Sequence, residues 1–143
     1  NVVVPVGTAY QDILDYVGVK GELGKVVAGG AMMGPAVENL SYPTTKTTSG
    51  LIMLSAAAAE PPQVNPCIRC GRCVEYCPMG LEPVEVNQAY AARDVQELGK
   101  LHVDYCFNCG SCTFVCPAKR PCTQMMGLAK AFYLGEIKKG GNK

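Results

Sequence analysis

The stretch that decides the fold reads Cys67-Ile68-Arg69-Cys70-Gly71-Arg72-Cys73-Val74-Glu75-Tyr76-Cys77-Pro78. A second stretch begins 39 positions later and reads Cys106-Phe107-Asn108-Cys109-Gly110-Ser111-Cys112-Thr113-Phe114-Val115-Cys116-Pro117. Four cysteines, one glycine and one proline coincide at this single offset. The second half of the chain therefore contains an internal repeat whose shared residues are mainly cysteines.

The distribution of the cysteines indicates metal binding. All nine lie between Cys67 and Cys122, and the chain has one histidine, His102. A disulfide scaffold usually spreads its bridges through the fold and suits an oxidising compartment. The odd count and the clustering instead favour metal ligation in a reducing compartment, by a centre that is bound almost wholly by thiolates.

The spacing C-x2-C-x2-C-x3-C-P is typical of bacterial 4Fe–4S ferredoxins and is present twice. Three thiolates at every third position let one loop wrap a cubane, while the fourth cysteine lies outside that loop, on a helix predicted to begin at the proline. In two-cluster ferredoxins the fourth cysteine ligates the other cluster. The predicted ligands of cluster I are therefore Cys67, Cys70, Cys73 and Cys116, and those of cluster II are Cys106, Cys109, Cys112 and Cys77.

Other residues of the repeat have predicted roles at the cluster loops. Gly71 and Gly110 allow tight turns that direct N–H groups to the cluster sulfurs, whereas Pro78 and Pro117 end the loops. Three aromatic residues between the ligands are predicted to shield the clusters from water, namely Tyr76, Phe107 and Phe114. Nearby cations are favoured because an oxidised cubane with four thiolates carries a charge of about −2; the candidates are Arg69, Arg72, Lys119 and Arg120.

Two alternatives concern the thiols. Structural zinc could be held by sets of four cysteines, although zinc motifs typically pair two distant C-x2-C knuckles without a third cysteine at the same spacing. Cys122 lies outside the repeat, and we expect a packed free cysteine rather than a ligand.

Composition limits the remaining function classes. The 143 residues are 48% hydrophobic and 17% charged, which is typical of a globular chain. Thirteen Lys and Arg against twelve Asp and Glu give a net charge of +1, which argues against a nucleic-acid-binding protein. No apolar run approaches the roughly 20 residues of a membrane span, and no signal peptide is recognisable. No catalytic constellation of Ser, His and Asp or of carboxylates is found, so no catalytic residue is assigned.

The pattern predicts an α+β chain in four segments. Residues 1–54 should contain a strand over 1–6, a helix from the N-cap Thr8 to Gly18, and strands at 26–28 and 51–54. Residues 55–66 form a predicted Ala/Pro linker. Residues 67–135 form a mainly helical domain with a helix from Pro83 to Gly99 and another from Thr123 to Gly135. Residues 136–143 are predicted to be a flexible tail.

Together with these segments, three N-terminal motifs resemble the C subunit of the Rnf-type ion-translocating ferredoxin:NAD oxidoreductases and its soluble relatives. The motifs are Val4-Pro5-Val6-Gly7-Thr8, Gly29-Gly30-Ala31-Met32-Met33-Gly34-Pro35 and Pro43-Thr44-Thr45-Lys46-Thr47-Thr48-Ser49-Gly50. They look like the β-grasp-like SLBB segment of that family, and the region from Cys67 to Pro117 looks like its helical dicluster ferredoxin lobe. The Gly29–Gly34 segment is interpreted as a tight turn rather than a nucleotide loop, because it runs into Pro35 without a lysine placed to meet a phosphate.

The resemblance implies a relay of single electrons through two 4Fe–4S clusters. The relay would connect an NADH/FMN site to a ferredoxin-linked, membrane-bound, ion-translocating oxidoreductase. FMN and NADH are expected to be bound by an upstream domain or a partner, since the sequence opens within the SLBB-like part. The expected partners are other subunits of a redox complex, and the expected location is the cytoplasm or the cytoplasmic face of the cell membrane. One alternative is a soluble carrier that feeds a reductase, such as an amino-acid reductase, and another is a non-redox, zinc-stabilised binding module.

Overall fold

The computed structural model describes residues 1–140 and separates into two compact units, with the division between Pro61 and Pro62. The first unit contains a two-stranded antiparallel sheet, β1 (Leu23–Ala28) and β2 (Leu51–Ser55), in which Val26 pairs with Met53. Its helices are α1 (Tyr10–Val17) and the short α2 (Ala56–Ala59), which packs against β1. The observed fold class is thus α+β, and the strands predicted at 26–28 and 51–54 are confirmed.

The strand predicted over residues 1–6 is wrong. This β-branched segment has no partner strand among the described residues, and Val3 is fully exposed. Pro5 has no N–H to donate to a ladder, and its carbonyl oxygen instead accepts hydrogen bonds from the hydroxyls of Thr8 and Thr44. The segment is held by these side chains rather than by a sheet.

Three further predictions for the first unit concern the ends of α1, the turn after β1 and the start of the linker. Ala9, not Thr8, is the N-cap of α1, while Gly18 ends the helix as predicted, with a left-handed φ of 64°. The segment after β1 is a turn over residues 31–33, and an added Cβ at Gly34 would lie 2.6 Å from the Ala28 carbonyl oxygen. The predicted linker begins later than residue 55, because Ser55 ends β2 and its hydroxyl caps α2 by accepting from the Ala58 N–H.

The second unit is helical. Its elements are α3 (Arg72–Glu75), α4 (Pro83–Ala91), α5 (Val95–Lys100), a 3-10 turn (Val103–Tyr105), α6 (Ser111–Phe114) and α7 (Cys122–Gly140). The long helix α7 packs against α4, α5 and α6. One buried apolar cluster joins these helices, formed by Leu81, Val86, Ala89, Leu98, Val103, Met126 and Ala129.

Two helix boundaries in the second unit differ from the prediction. The single helix predicted from Pro83 to Gly99 is wrong, since Arg93 adopts a left-handed φ of 57° and Asp94 caps a new helix by accepting from the Glu97 N–H at 2.9 Å. The last helix continues past Gly135 to Gly140, so residues 136–140 are helical rather than tail. The Lys139–Glu136 ion pair at 2.7 Å lies within this extra turn. The remaining residues of the predicted tail, 141–143, lie outside the described residues.

Candidate metal centre

The sequence repeat is also a repeat of backbone conformation. Three left-handed positions recur at the offset of 39 residues, with φ between 51° and 89°: Arg69 and Asn108, Gly71 and Gly110, and Gly80 and Lys119. Gly71 and Gly110 are the N-caps of α3 and α6, and these two short helices contain Cys73 and Cys112. Each glycine therefore turns the chain from the first two cysteines of its motif into the third.

The two prolines of the repeat lie in β-turns. The Gly80 N–H donates to the Cys77 carbonyl oxygen at 3.0 Å, so Pro78 occupies the second position of a turn, which suits its fixed φ. The same turn closes from Lys119 to Cys116 around Pro117 at 3.2 Å. The predicted placement of the fourth cysteines on helices that begin at these prolines is wrong, because α4 begins at Pro83 and α7 at Cys122.

The first motif lines a cavity of about 310 Å³. Its cysteines are Cys67, Cys70, Cys73 and Cys116. Three come from one copy of the repeat and the fourth from the other, which is the combination predicted for cluster I. A second cavity is lined by Cys106, Cys109, Cys112 and Cys77, the combination predicted for cluster II.

The donor chemistry at both cavities fits an iron–sulfur cluster, since four thiolates are the usual ligands of a cubane. The cavities differ in volume. The second measures about 20 Å³, room for about one water, so a cubane there requires the residues that line it to move apart. Within residues 1–140, no three His, Cys, Asp or Glu side chains are placed to bind one metal ion.

Hydrogen bonds to the sulfurs were only partly foreseen. The Arg69 N–H donates to Cys67 Sγ at 3.4 Å, and the Leu81 N–H donates to Cys77 Sγ at 3.3 Å. Thr123 Oγ1 lies 3.4 Å from Cys112 Sγ. Sequence reasoning missed Leu81 and Thr123. Both lie outside the cysteine motifs, and the only available signal was that each follows a motif closely.

A threonine pair joins the second motif to α7. Thr113 Oγ1 donates to Thr123 Oγ1 at 2.9 Å and accepts from the Thr123 N–H at 2.8 Å. Because the Thr123 hydroxyl already accepts from Thr113, its own proton is free to be donated to Cys112 Sγ. The Thr123 N–H lies in the first turn of α7, where backbone N–H groups have no partner within the helix, so Thr113 supplies its acceptor.

Burial acts on three of the thiols. It raises the pKa of Cys73 and Cys112, and at Cys112 the Thr123 hydrogen bond partly offsets this. Burial also raises the pKa of Cys122 to about 12, and the neighbouring Cys116 thiol adds to the effect. Cys122 lines the first cavity as the first residue of α7. At neutral pH Cys122 keeps its proton, so it lies beside the predicted ligands of the first cavity as a neutral thiol.

The aromatic residues of the repeat do not shield the cavities. Tyr76, Phe107 and Phe114 are 57%, 50% and 77% exposed. Tyr76 and Phe114 instead line a separate cleft of about 560 Å³, together with Arg72 and Lys119. The apolar lining of the first cavity includes Val84 and Ala91 of α4 and Met125 of α7.

Comparison with known proteins agrees with this site. Residues 66–119 match a family described as a 4Fe-4S dicluster domain. Over 102 residues, 71% of the chain, the sequence is 38% identical to the C subunit of the ion-translocating oxidoreductase complex from Rhodobacter capsulatus. The chain is homologous to that protein.

Two further C subunits are similar over the same region. The identity is 42% over 84 residues, or 58% of the chain, with the C subunit of a proton-translocating ferredoxin:NAD(+) oxidoreductase complex from Clostridium ljungdahlii. It is 34% over 93 residues, or 64% of the chain, with that of the Na(+)-translocating complex from Acetobacterium woodii. The matches cover 20%, 18% and 21% of the three relatives, so the chain spans about a fifth of their length. Among residues 1–140, no helix is both long enough and apolar enough to span a membrane.

Proposed function

We propose that this chain is an electron-transfer module of an Rnf-type C subunit, in which single electrons pass through two 4Fe–4S clusters. The observation that carries the proposal is the crosswise lining of the two cavities, each with three cysteines of one motif and one of the other. When bound, the clusters supply reversible one-electron transfer. The protein binds them, sets their spacing and adjusts their reduction potentials.

The ligand sets of the proposal are those of the sequence prediction. Cys67, Cys70, Cys73 and Cys116 hold cluster I, and Cys106, Cys109, Cys112 and Cys77 hold cluster II. Exchange of the fourth ligand ties α3 and α6 into one body and keeps the clusters near each other, as a relay requires. Gly71, Gly110, Pro78 and Pro117 give the loops their turns.

The proposal extends to the larger complex around this module. The relatives are named as subunits of ferredoxin:NAD(+) oxidoreductase complexes that translocate ions. In such a complex FMN and NADH are held by another part of the C subunit or by a partner protein, and the chain lies at the cytoplasmic face of the membrane. The first unit, with its small sheet and the turn after β1, serves as an SLBB-like, β-grasp-like adaptor.

The decisive experiment is anaerobic reconstitution followed by iron, sulfide and zinc analysis. The chain should bind about eight irons and about eight acid-labile sulfides, because each of two cubanes contains four of each. A variant with Cys67, Cys70 and Cys73 all replaced by Ser should keep about four of each. Stoichiometric zinc without labile sulfide would contradict the proposal and favour the zinc-stabilised module.

A further inference from the structure

The two cavities are related residue by residue through the repeat. Besides the cysteines and glycines, six lining positions of the first cavity have counterparts in the second at the offset of 39 residues. Written with the first-cavity residue first, the pairs are Arg69 and Asn108, Arg72 and Ser111, Arg120 and Leu81, Cys122 and Pro83, Asn87 and Met126, and Val84 and Thr123. Because the left-handed turns of the two motifs recur at the same offset, these pairs can be compared position by position, although the two cavities differ in volume.

The pairs differ first in charge. Three arginines line the first cavity, whereas the counterparts in the second are asparagine, serine and leucine. In the described part of the chain, no carboxylate lines either cavity. One cation approaches the second motif from outside its cavity, as Lys130 Nζ donates to the Cys106 carbonyl oxygen at 2.7 Å. The first cavity is therefore the more positive.

The pairs differ also in polarity. The first cavity has Asn87, whose buried Oδ1 has no hydrogen-bond partner among the described residues, where the second has the buried Met126. It likewise has the Cys122 thiol, an S–H donor, where the second has Pro83. In the second cavity the Thr123 hydroxyl stands in place of Val84, and the Leu81 N–H donates to Cys77 Sγ. The hydrogen bonds to sulfur therefore do not favour the first cavity, and the difference in charge carries the inference.

Reduction makes a cluster site more negative, since a cubane with four thiolates goes from a charge of about −2 to about −3 on accepting one electron. Cations stabilise the more negative form and raise the reduction potential, and three arginines line the first cavity where the second has none. On the basis of the proposed function, we propose that cluster I has the higher reduction potential, so that a single electron on the pair rests there. Cluster II is then the lower-potential partner that delivers an electron to cluster I.

The expected asymmetry is measurable. At equilibrium, an electron should favour cluster I by at least about tenfold, which for a one-electron couple corresponds to about 59 mV. Arg69 and Arg72 are exposed, so salt screens part of their effect. The preference should therefore decrease as ionic strength rises.

The test exchanges residues between equivalent positions. Anaerobically reconstituted chain is titrated with dithionite, and the two midpoint potentials are followed by EPR. Arg72→Ser gives the first site the residue of the second and should lower only the higher potential. Ser111→Arg makes the reverse exchange and should raise only the lower one. Arg72 already occupies the first position of α3, and Ser111 is the first residue of α6, so the fold accommodates either residue there.

The control is Lys100→Gln, which changes net charge as Arg72→Ser does but affects a residue that lines neither cavity. It should leave both potentials in place. Two equal wild-type potentials, or Arg72→Ser lowering the lower one, would overturn the inference even when eight irons are bound. A wild-type chain that fails to bind eight irons would overturn the proposed function, and with it the inference.

Discussion

The eight repeat cysteines divide crosswise between the two cavities, so the fourth ligand of each cluster can be tested by one substitution. Cys77 lines the cavity of the second motif, although it belongs to the first motif in sequence. Cys77→Ser should therefore perturb the cluster held by Cys106, Cys109 and Cys112. Mössbauer and EPR spectra of the variant should show one intact cubane. Cys116→Ser is the matched variant. It should perturb cluster I and leave cluster II intact. Damage at the cluster of the mutated residue's own motif would show that each motif closes its own site.

Thr123 is a residue whose role only the structure reveals. Its hydroxyl lies 3.4 Å from Cys112 Sγ and accepts from Thr113. A donor to this sulfur favours the more negative reduced form, so Thr123→Val should lower the potential of cluster II by an amount on the order of 30 mV. The measurement is the same EPR titration.

Thr123→Ser keeps the hydroxyl and is the control for this hydrogen bond. It should keep the potential of cluster II close to the wild-type value. An equal drop in Thr123→Ser and Thr123→Val would assign the effect to packing of the lost methyl group rather than to the hydrogen bond.

At the level of elements, the sequence predicts well where apolar periodicity and a breaking residue agree. The strands at 26–28 and 51–54 and the end of α1 at Gly18 are of this kind. It predicts poorly where a partner is needed, because the β-branched segment 1–6 looks like a strand whether or not another strand pairs with it. The break between α4 and α5 was missed because Arg93 and Asp94 are ordinary helix-surface residues, and Asp94 caps α5 only once the chain has turned.

The same limit applies to the candidate site. The cysteine spacing alone leads to the predicted ligand sets, and the two cavities are lined by the same sets of four cysteines. The surroundings of the cysteines were less predictable, since Asn87 and Met125 lie on α4 and α7, outside the cysteine motifs, and no residue pattern marks them as cavity residues. A residue close to a ligand in sequence can also lie outside the cavity. Phe114 follows Cys112 by two residues, yet it is exposed and does not line the first cavity.

Helix α5 is short, and its attachment depends on one buried side chain. Leu98 is 0% exposed and belongs to the apolar cluster shared with α4 and α7. Leu98→Ala should lower the free energy of unfolding by about 3 kcal/mol, through lost transfer energy and the cavity left behind. Urea unfolding of the cluster-loaded chain, followed by far-UV circular dichroism under anaerobic conditions, measures this loss.

Leu134→Ala in α7 is the control for the burial of Leu98. Leu134 is partly exposed, so its truncation should cost well under half as much as that of Leu98. Equal losses in the two variants would mean that α5 is not anchored through Leu98.

For the whole chain, the sharpest expectation concerns NADH. Hydride transfer from NADH needs a flavin beside the nicotinamide, since a cluster accepts one electron at a time. The glycine-rich segment most similar to a phosphate loop is the turn after β1. A phosphate loop offers free backbone N–H groups at the start of a helix, whereas the Gly34 N–H donates to the Gly30 carbonyl oxygen. The chain, with both clusters and no added flavin, should therefore be reduced by dithionite but not by NADH. Loss of the visible absorbance of the clusters reports both reactions.

The matched experiment adds a flavoenzyme that oxidises NADH to the same cuvette. If the chain is a relay, its clusters should then be bleached by NADH, and the rate should rise with the concentration of the flavoenzyme. Bleaching by NADH before the flavoenzyme is added would reveal a nucleotide site within this chain. If dithionite reduces the clusters but NADH does not at any flavoenzyme concentration, the clusters do not accept electrons from NADH through a flavin. The role as an acceptor of electrons from a flavin would then be wrong.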